Sequence, residues 1–257
     1  MPDEITDDAV LGGALRLLQP RSGHRFGHDA ILLAAATAAQ PGERVVDLGA
    51  GVGAAGLALA KRVADISLTL VEIDPALCEL AKKNAARNGM TERVAVAALD
   101  VAAPDSFFDN ANLKSGCAGR VLMNPPFHAA ARTQSSPNAA RRVAHVAQAG
   151  SMDVWVGAAA RLLHPGGTLT LIYRADALDE VLSALASDFE AVEVLPVYPR
   201  PDAAAIRVIV QARRRDGLRN EQAVTSVSGL YLNGAGGTPT PEAEAILRSL
   251  AALEFKK

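Results

Sequence analysis

Short apolar runs alternate along the first half of the chain with longer stretches whose apolar positions recur at helical spacing. The runs 44–49, 67–73, 93–99 and 120–124 read as strands, and the stretches 53–64, 75–89 and an irregular one near 104–111 read as the helices between them. Strand and helix in strict alternation build a parallel sheet with right-handed crossovers. Ahead of the first strand, 30–39 reads as a helix with His28 or Asp29 available as its N-cap and Pro41-Gly42 closing it, and Leu11–Pro20 as a short extended hairpin. After a polar loop, Asp153 can cap a helix over 154–163 that His164-Pro-Gly-Gly167 ends. A strand over 168–173 and a helix over 175–187 follow. The strands 191–198 and 205–212 are joined by Pro199-Arg-Pro-Asp202, too short for a crossover helix, so this pair is antiparallel. Residues 213–257 read as an appendage, with a turn at Asn233-Gly234 and a helix opening near Thr240-Pro-Glu242.

At 257 residues and 49% hydrophobic, the chain is expected to form a single α/β domain over 1–257. A net charge of −2 supplies no overall basic field, so any contact with nucleic acid must be local. Cys78 and Cys117 lie far apart and the five histidines show no ligand spacing, which supports neither a disulfide framework nor a metal site. The acidic N-terminus has no signal-peptide pattern, and no apolar run reaches about 18 residues. A soluble, cytoplasmic protein is expected, with no membrane partner.

The chain's chemistry centres on Asp47-Leu-Gly49-Ala50-Gly51-Val-Gly53-Ala-Ala-Gly56, a buried strand running through a glycine-rich turn into an apolar helix. Gly49, Gly51 and Gly53 remove the Cβ atoms that would keep a ligand off the backbone, and the helix aims free N–H groups at it. Gly51-x-Gly53-x-x-Gly56 satisfies the dinucleotide fingerprint, and the longer Asp47-x-Gly49-x-Gly51-x-Gly53 resembles the S-adenosylmethionine (SAM) loop of Rossmann-like methyltransferases. Glu72, nineteen residues after Gly53 at the carboxyl end of the second strand, suits a ribose in either case. Asp100 ends the third strand on the same side, where it meets an adenine amino group in SAM enzymes or simply caps the next segment. The fourth strand ends in Asn124-Pro125-Pro126-Phe127. Two prolines lock the turn and leave the Asn124 amide and the Pro125 carbonyl as rigid acceptors for the two hydrogens of a planar NH2, with Phe127 to stack on its face.

That tetrapeptide resembles the (D/N)-P-P-(Y/F) motif of amino-group methyltransferases. More narrowly, the chain resembles the bacterial family that methylates adenine N6 in valine tRNA beside the anticodon. Leu11-Gly-Gly13, Gln19-Pro20, Gly23–Gly27 leading into Asp29–Leu33, Ser136-Pro-Asn138, Leu162–Gly167 and Pro199–Asp202 carry the likeness, which covers roughly residues 11–235. The chain departs from the family at His128 and at Ala144-His145-Val146.

The resemblance implies a Rossmann-like, doubly wound sheet of seven strands, parallel except for one antiparallel strand in a C-terminal hairpin. It implies SAM as cofactor, lined by Asp47, Gly49, Gly51, Glu72 and Asp100, with Ala50, Gly53, Ile73, Val101 and Asn124 as neighbours. The 23–29 stretch, including Phe26 and His28, would close over it. Asn124–Phe127 would be catalytic. Phe127, Arg132, Arg141 and Arg142 are candidates for the substrate, the arginines facing phosphates, and Arg213-Arg-Arg215 with Arg219 forms a second basic cluster. His145 and Trp155 read as packing residues and His164 as a helix C-terminal residue. The expected partner is tRNA or another RNA, and the chain is a monomer or a homodimer. A protein glutamine amide is the alternative substrate, and an NAD-dependent oxidoreductase or a non-catalytic SAM- or RNA-binding module is the reading from another class.

Overall fold

A computed structural model describes residues 5–22, 25–127, 151–217 and 223–256. The chain opens with an antiparallel hairpin of β1 (Ile5–Val10) and β2 (Leu15–Pro20), followed by α1 (His28–Ala36). The main sheet then builds in strand–helix alternation: β3 (Arg44–Leu48), α2 (Ala54–Arg62), β4 (Ser67–Glu72), α3 (Pro75–Arg87), β5 (Val94–Ala98), α4 (Asp105–Asn110) and β6 (Ala118–Met123). These four strands are parallel in the order β5-β4-β3-β6. After α5 (Met152–Leu162), β7 (Leu163–Arg174) joins β6 in parallel, and α6 (Leu178–Leu185) returns the chain to β8 (Phe189–Tyr198). The hairpin partner β9 (Arg207–Arg214) inserts between β7 and β8, antiparallel to both.

Among the described residues the sheet has nine strands rather than the expected seven. The two extra strands, β10 (Val224–Ser226) and β11 (Leu230–Tyr231), run parallel to the outer edge of β8. They are too short to show a period in the sequence, yet they cover N–H and C=O groups that a bare edge would leave open to other chains. The stretch read as an appendage therefore returns to the sheet. It ends in α7 (Pro241–Ser249), capped by Thr240, whose hydroxyl accepts the Ala243 N–H at 3.1 Å, close to where the sequence places a helix start.

Other boundaries move for identifiable reasons. The hairpin begins at Ile5, because Asp7 and Asp8 sit in a strand with their charge offset by Arg16, Arg87 and Arg25, and acidic residues mask the strand pattern. Leu11–Gly13 is only the 3-10 turn between its strands. Neither His28 nor Asp29 caps α1. Gly27 holds the N-cap position with no side-chain bond, and Asp29 turns instead to Arg207. α1 stops at Ala36, where Arg62 takes over the Ala34 and Thr37 carbonyls. Likewise Ser151, not Asp153, precedes α5. β7 absorbs 163–167, and a 3-10 turn, Ala175–Ala177, replaces the start of the expected helix over 175–187.

Both faces of the sheet are buried, which is why the strands read as continuous apolar runs. Leu32, Leu57, Leu70 and Ile209 pack with α1, α2 and α7 on one face, and Phe108, Trp155, Val121 and Phe189 with α4, α5 and α6 on the other. Gly56 lets α2 lie close on the sheet, since a Cβ there would come within 2.6 Å of Leu70 Cδ2 and 3.0 Å of Asp47 Oδ2. Gly56→Ala is expected to cost about 1–3 kcal/mol through overpacking, read as a melting temperature lower by several degrees with the fold retained by circular dichroism. Among the described residues, no helix is long and apolar enough to cross a membrane.

Candidate active site

The strand register brings the carboxyl ends of the parallel strands side by side: Leu48 lies opposite Val71 and Met123, and Glu72 opposite Ala98. The segments that leave those ends bound one cavity of about 760 Å³, a volume suited to a cofactor with part of a substrate. It lies where open α/β sheets bind ligands. Of the sequence candidates, Phe26, Asp47, Gly49, Ala50, Gly51, Glu72, Ile73, Asp100, Val101 and the whole Asn124–Phe127 turn border it.

Two candidates do not border it. His28 is exposed at the first residue of α1, and its neighbours Asp29 and Ala30 line the cavity instead. Gly53 is the N-cap of α2 at φ 87°, where a Cβ would fall 2.9 Å from Leu70 Cδ1 and 3.1 Å from Leu57 Cδ1, so its role is turn and packing. Gly51, at φ 57°, has open space where a Cβ would be, and there the backbone can meet a ligand. His128, Arg132, Arg141, Arg142 and His145 lie outside the described residues.

The floor of the cavity is acidic. Asp47 is buried and accepts the Gly56 N–H at 2.9 Å. Burial pushes its carboxyl up to about 7, with the negative charge of Glu72 adding to the rise and the Gly56 N–H opposing it. Glu72 is also buried, and its two oxygens accept the N–H groups of Gly51 at 2.8 Å and Asp74 at 2.9 Å. Each oxygen keeps a lone pair, so the carboxylate can hold the glycine loop and still accept two ribose hydroxyls. Asp100 borders the cavity, and its Oδ1 accepts the Ala102 N–H at 2.8 Å, as a residue that caps the next segment does. Beside these, Ile73 is 62% exposed, an apolar surface for a flat ring. Glycine loop, buried carboxylate and apolar shelf together fit SAM.

Residues 25–27 line the cavity, and the N-terminal hairpin is bonded to them. Buried Gln19 accepts the Phe26 N–H at 3.2 Å and donates to Asp8 at 2.7 Å, while Arg25 reaches Asp8 at 3.0 Å and the Pro20 carbonyl at 2.7 Å. The Gln19 and Thr6 hydrogen bonds hold the Asp8 carboxyl below its ordinary range.

Residues 22–197 match the family model described as the methyltransferase small domain. The chain belongs to that family. Among its curated relatives is the tRNA1(Val) (adenine(37)-N6)-methyltransferase of Aeromonas hydrophila, 31% identical over 218 residues, which span 82% of this chain and 86% of the relative. The enzyme of the same name from Bacteroides thetaiotaomicron is 28% identical over 211 residues, 79% of this chain and 83% of the relative. A solved structure from Agrobacterium tumefaciens, titled a predicted O-methyltransferase, superposes with a TM-score of 0.73 at 28% identity, covering 88% of this chain and 98% of that one.

In this methyltransferase the Asn124–Phe127 turn forms one rim of the cavity, with Pro125 buried and Phe127 37% exposed. The Phe127 ring meets Tyr173 edge-on at 5.4 Å, and the Arg207 guanidinium lies 4.7 Å from its centroid. Trp155 is buried, as its reading as a packing residue requires, but it also walls the cavity. Its Cη2 sits 2.5 Å from where a Gly49 Cβ would be, so that glycine makes room for an indole. The pairing of Trp155 with Gly49, like that of Asp29 with Arg207, joins residues far apart in the chain and left no local signal. Of the second basic cluster, Arg213–Arg215 do not border the cavity. Arg213 and Arg215 pair with Glu190 and Arg214 with Asp188, at the end of β9 opposite the cavity, and Arg219 lies outside the described residues.

Proposed function

We propose that this methyltransferase transfers the methyl group of SAM to the exocyclic N6 of an adenine in tRNA, the substrate class named for its Aeromonas and Bacteroides relatives. The observation that carries the reading is the Asn124-Pro-Pro-Phe127 turn on the rim of the cavity whose floor is the glycine loop and Glu72. When bound, SAM supplies a methyl group on a sulfonium, ready for displacement. Gly51 admits the cofactor against the backbone, Glu72 accepts its ribose, Asp100 and Ile73 receive its adenine, and Phe26 covers it.

The Asn124 side-chain oxygen and the Pro125 carbonyl take the two hydrogens of the substrate NH2 and hold its nitrogen in line with the methyl carbon. Phe127 stacks on the base, which is already unpaired in a tRNA loop and can be splayed into the pocket. The bound cofactor would supply the methyl to this nitrogen with its sulfur leaving as a neutral thioether, and the nitrogen, held by Asn124 and Pro125 and cationic after attack, would release its proton to water. Two acceptors match an amine; a hydroxyl has one hydrogen and would leave one acceptor unmatched, which disfavours an O-methyl acceptor at this turn. Arg132, Arg141 and Arg142 bind phosphates next to the target. The whole chain acts as one catalytic domain in the cytoplasm.

Thermal melting separates this reading from a dinucleotide enzyme. SAM at about 100 times its Kd adds about 2.7 kcal/mol to the folded state, and NADH is expected to add nothing. Stabilisation by NADH alone would transfer the cavity to an oxidoreductase.

A further inference from the structure

Arg207 is the first residue of β9, in register with Arg174 of β7 and Val197 of β8 at the cavity edge of the sheet. Its Nε donates to Asp29 Oδ2 at 2.8 Å, and its guanidinium lies over the Phe127 ring. Asp29 stands in the first turn of α1, just after the 25–27 segment that lines the cavity, and borders the cavity itself. One ion pair thus ties the cofactor side of the site to the aromatic on the substrate side, across 178 residues of chain. The two prolines before Phe127 fix the backbone but not the ring; the guanidinium of Arg207 over one face and Tyr173 edge-on set its plane, with the other face left for a base. The pairing with Asp29 also matters chemically. A free guanidinium beside the target would oppose the positive charge that develops on the amine, whereas the ion pair is neutral overall.

We propose that Arg207 is a positioning residue: anchored by Asp29, it sets the plane of the Phe127 ring on which the substrate base stacks. This rests on the assignment of Phe127 as the stacking residue, and the test separates the two. Protein labelled with 4-fluorophenylalanine carries six reporters, and the Phe127 resonance is assigned by its loss in Phe127→Leu. In Arg207→Met, which keeps length and apolar contact but removes the planar cation, the Phe127 resonance is expected to shift and broaden while the other five stay in place. The KM for tRNA should rise between about 3- and 30-fold, in line with the strength of a cation–aromatic stack. SAM affinity, measured by calorimetry, should stay within about 2-fold.

Arg207→Lys, which keeps the charge without the flat fork, is expected to recover only part of the loss. In the Phe127→Leu background, Arg207→Met should have no further effect, since the two act as one unit. An unmoved Phe127 resonance, multiplicative losses in the double variant, or complete rescue by lysine would overturn the proposal. A resonance that moves while the KM for tRNA does not would leave Arg207 as the holder of the ring and remove the stacking role from Phe127.

Discussion

Asn124→Ala is expected to lower kcat on tRNA by about 10²–10³, the loss typical when one hydrogen-bonding group aimed at the reacting centre is deleted. SAM affinity should change by no more than a few-fold, because the glycine loop, Glu72 and the 25–27 segment are left in place. The asymmetry follows from where Asn124 stands. It is half-buried on the rim at the end of β6, and the two prolines that follow offer no N–H of their own. Without its amide oxygen the substrate NH2 loses one of two acceptors and with it the alignment of nitrogen and methyl carbon. Asn124→Asp restores an acceptor and is expected to recover part of the rate, as the (D/N) alternatives of the motif imply. Single-turnover rates with SAM held saturating make the measurement; an alanine variant within about 3-fold of wild type would remove Asn124 from catalysis.

The ligand-free protein is expected to lose stability as pH rises from about 4 to 7, through Asp47. Its carboxyl titrates near 7 in the folded chain, against 3.8 for an ordinary aspartate. Between those values the native state holds a proton that the unfolded state does not. Raising the pH therefore favours unfolding, and the contribution is complete below the lower value and gone above the upper. At about 1.4 kcal/mol per unit, the window spans on the order of 4 kcal/mol. Asp47→Asn cannot titrate, so the difference between the two urea-melting profiles isolates the group. Asp7, Asp8, Glu79 and Asp176 are held below their ordinary values and act in the opposite direction, in more acid solution. SAM carries an ammonium and a sulfonium, which favour an ionised Asp47. Its affinity should therefore rise with pH up to about 7 and then level, with a proton released on binding that calorimetry in two buffers counts. A flat difference between the profiles, or SAM affinity independent of pH across this range, would contradict the burial-driven rise at Asp47.

Much of this site was readable because its residues stand at or directly after the carboxyl ends of parallel strands, where local sequence and ligand position coincide. Asp47, Gly49 to Gly51, Glu72, Asp100 and Asn124 to Phe127 all lie on the cavity, as the strand ends require. What was hidden was tertiary. Asp29 looked like a cap and is an ion-pair partner of Arg207; Trp155 looked like packing and is both packing and wall; Gly53 looked like a ligand glycine and serves a left-handed turn. Charge misled in two places. The acidic β1 pairs with β2 while arginines from β2, α3 and residue 25 offset Asp7 and Asp8, and the arginine run at the end of β9 pairs with Glu190 and Asp188. The two extra strands escaped notice because three and two residues are too few to show alternation.

The central claim is methyl transfer to an adenine amine in tRNA, and its most direct test uses purified protein with methyl-labelled SAM, total tRNA and a protein extract in parallel, with Asn124→Ala alongside. The expected result is label in the tRNA fraction, recovered as N6-methyladenosine after digestion and lost in the variant. Label confined to protein, or recovered from tRNA on an oxygen, would contradict it.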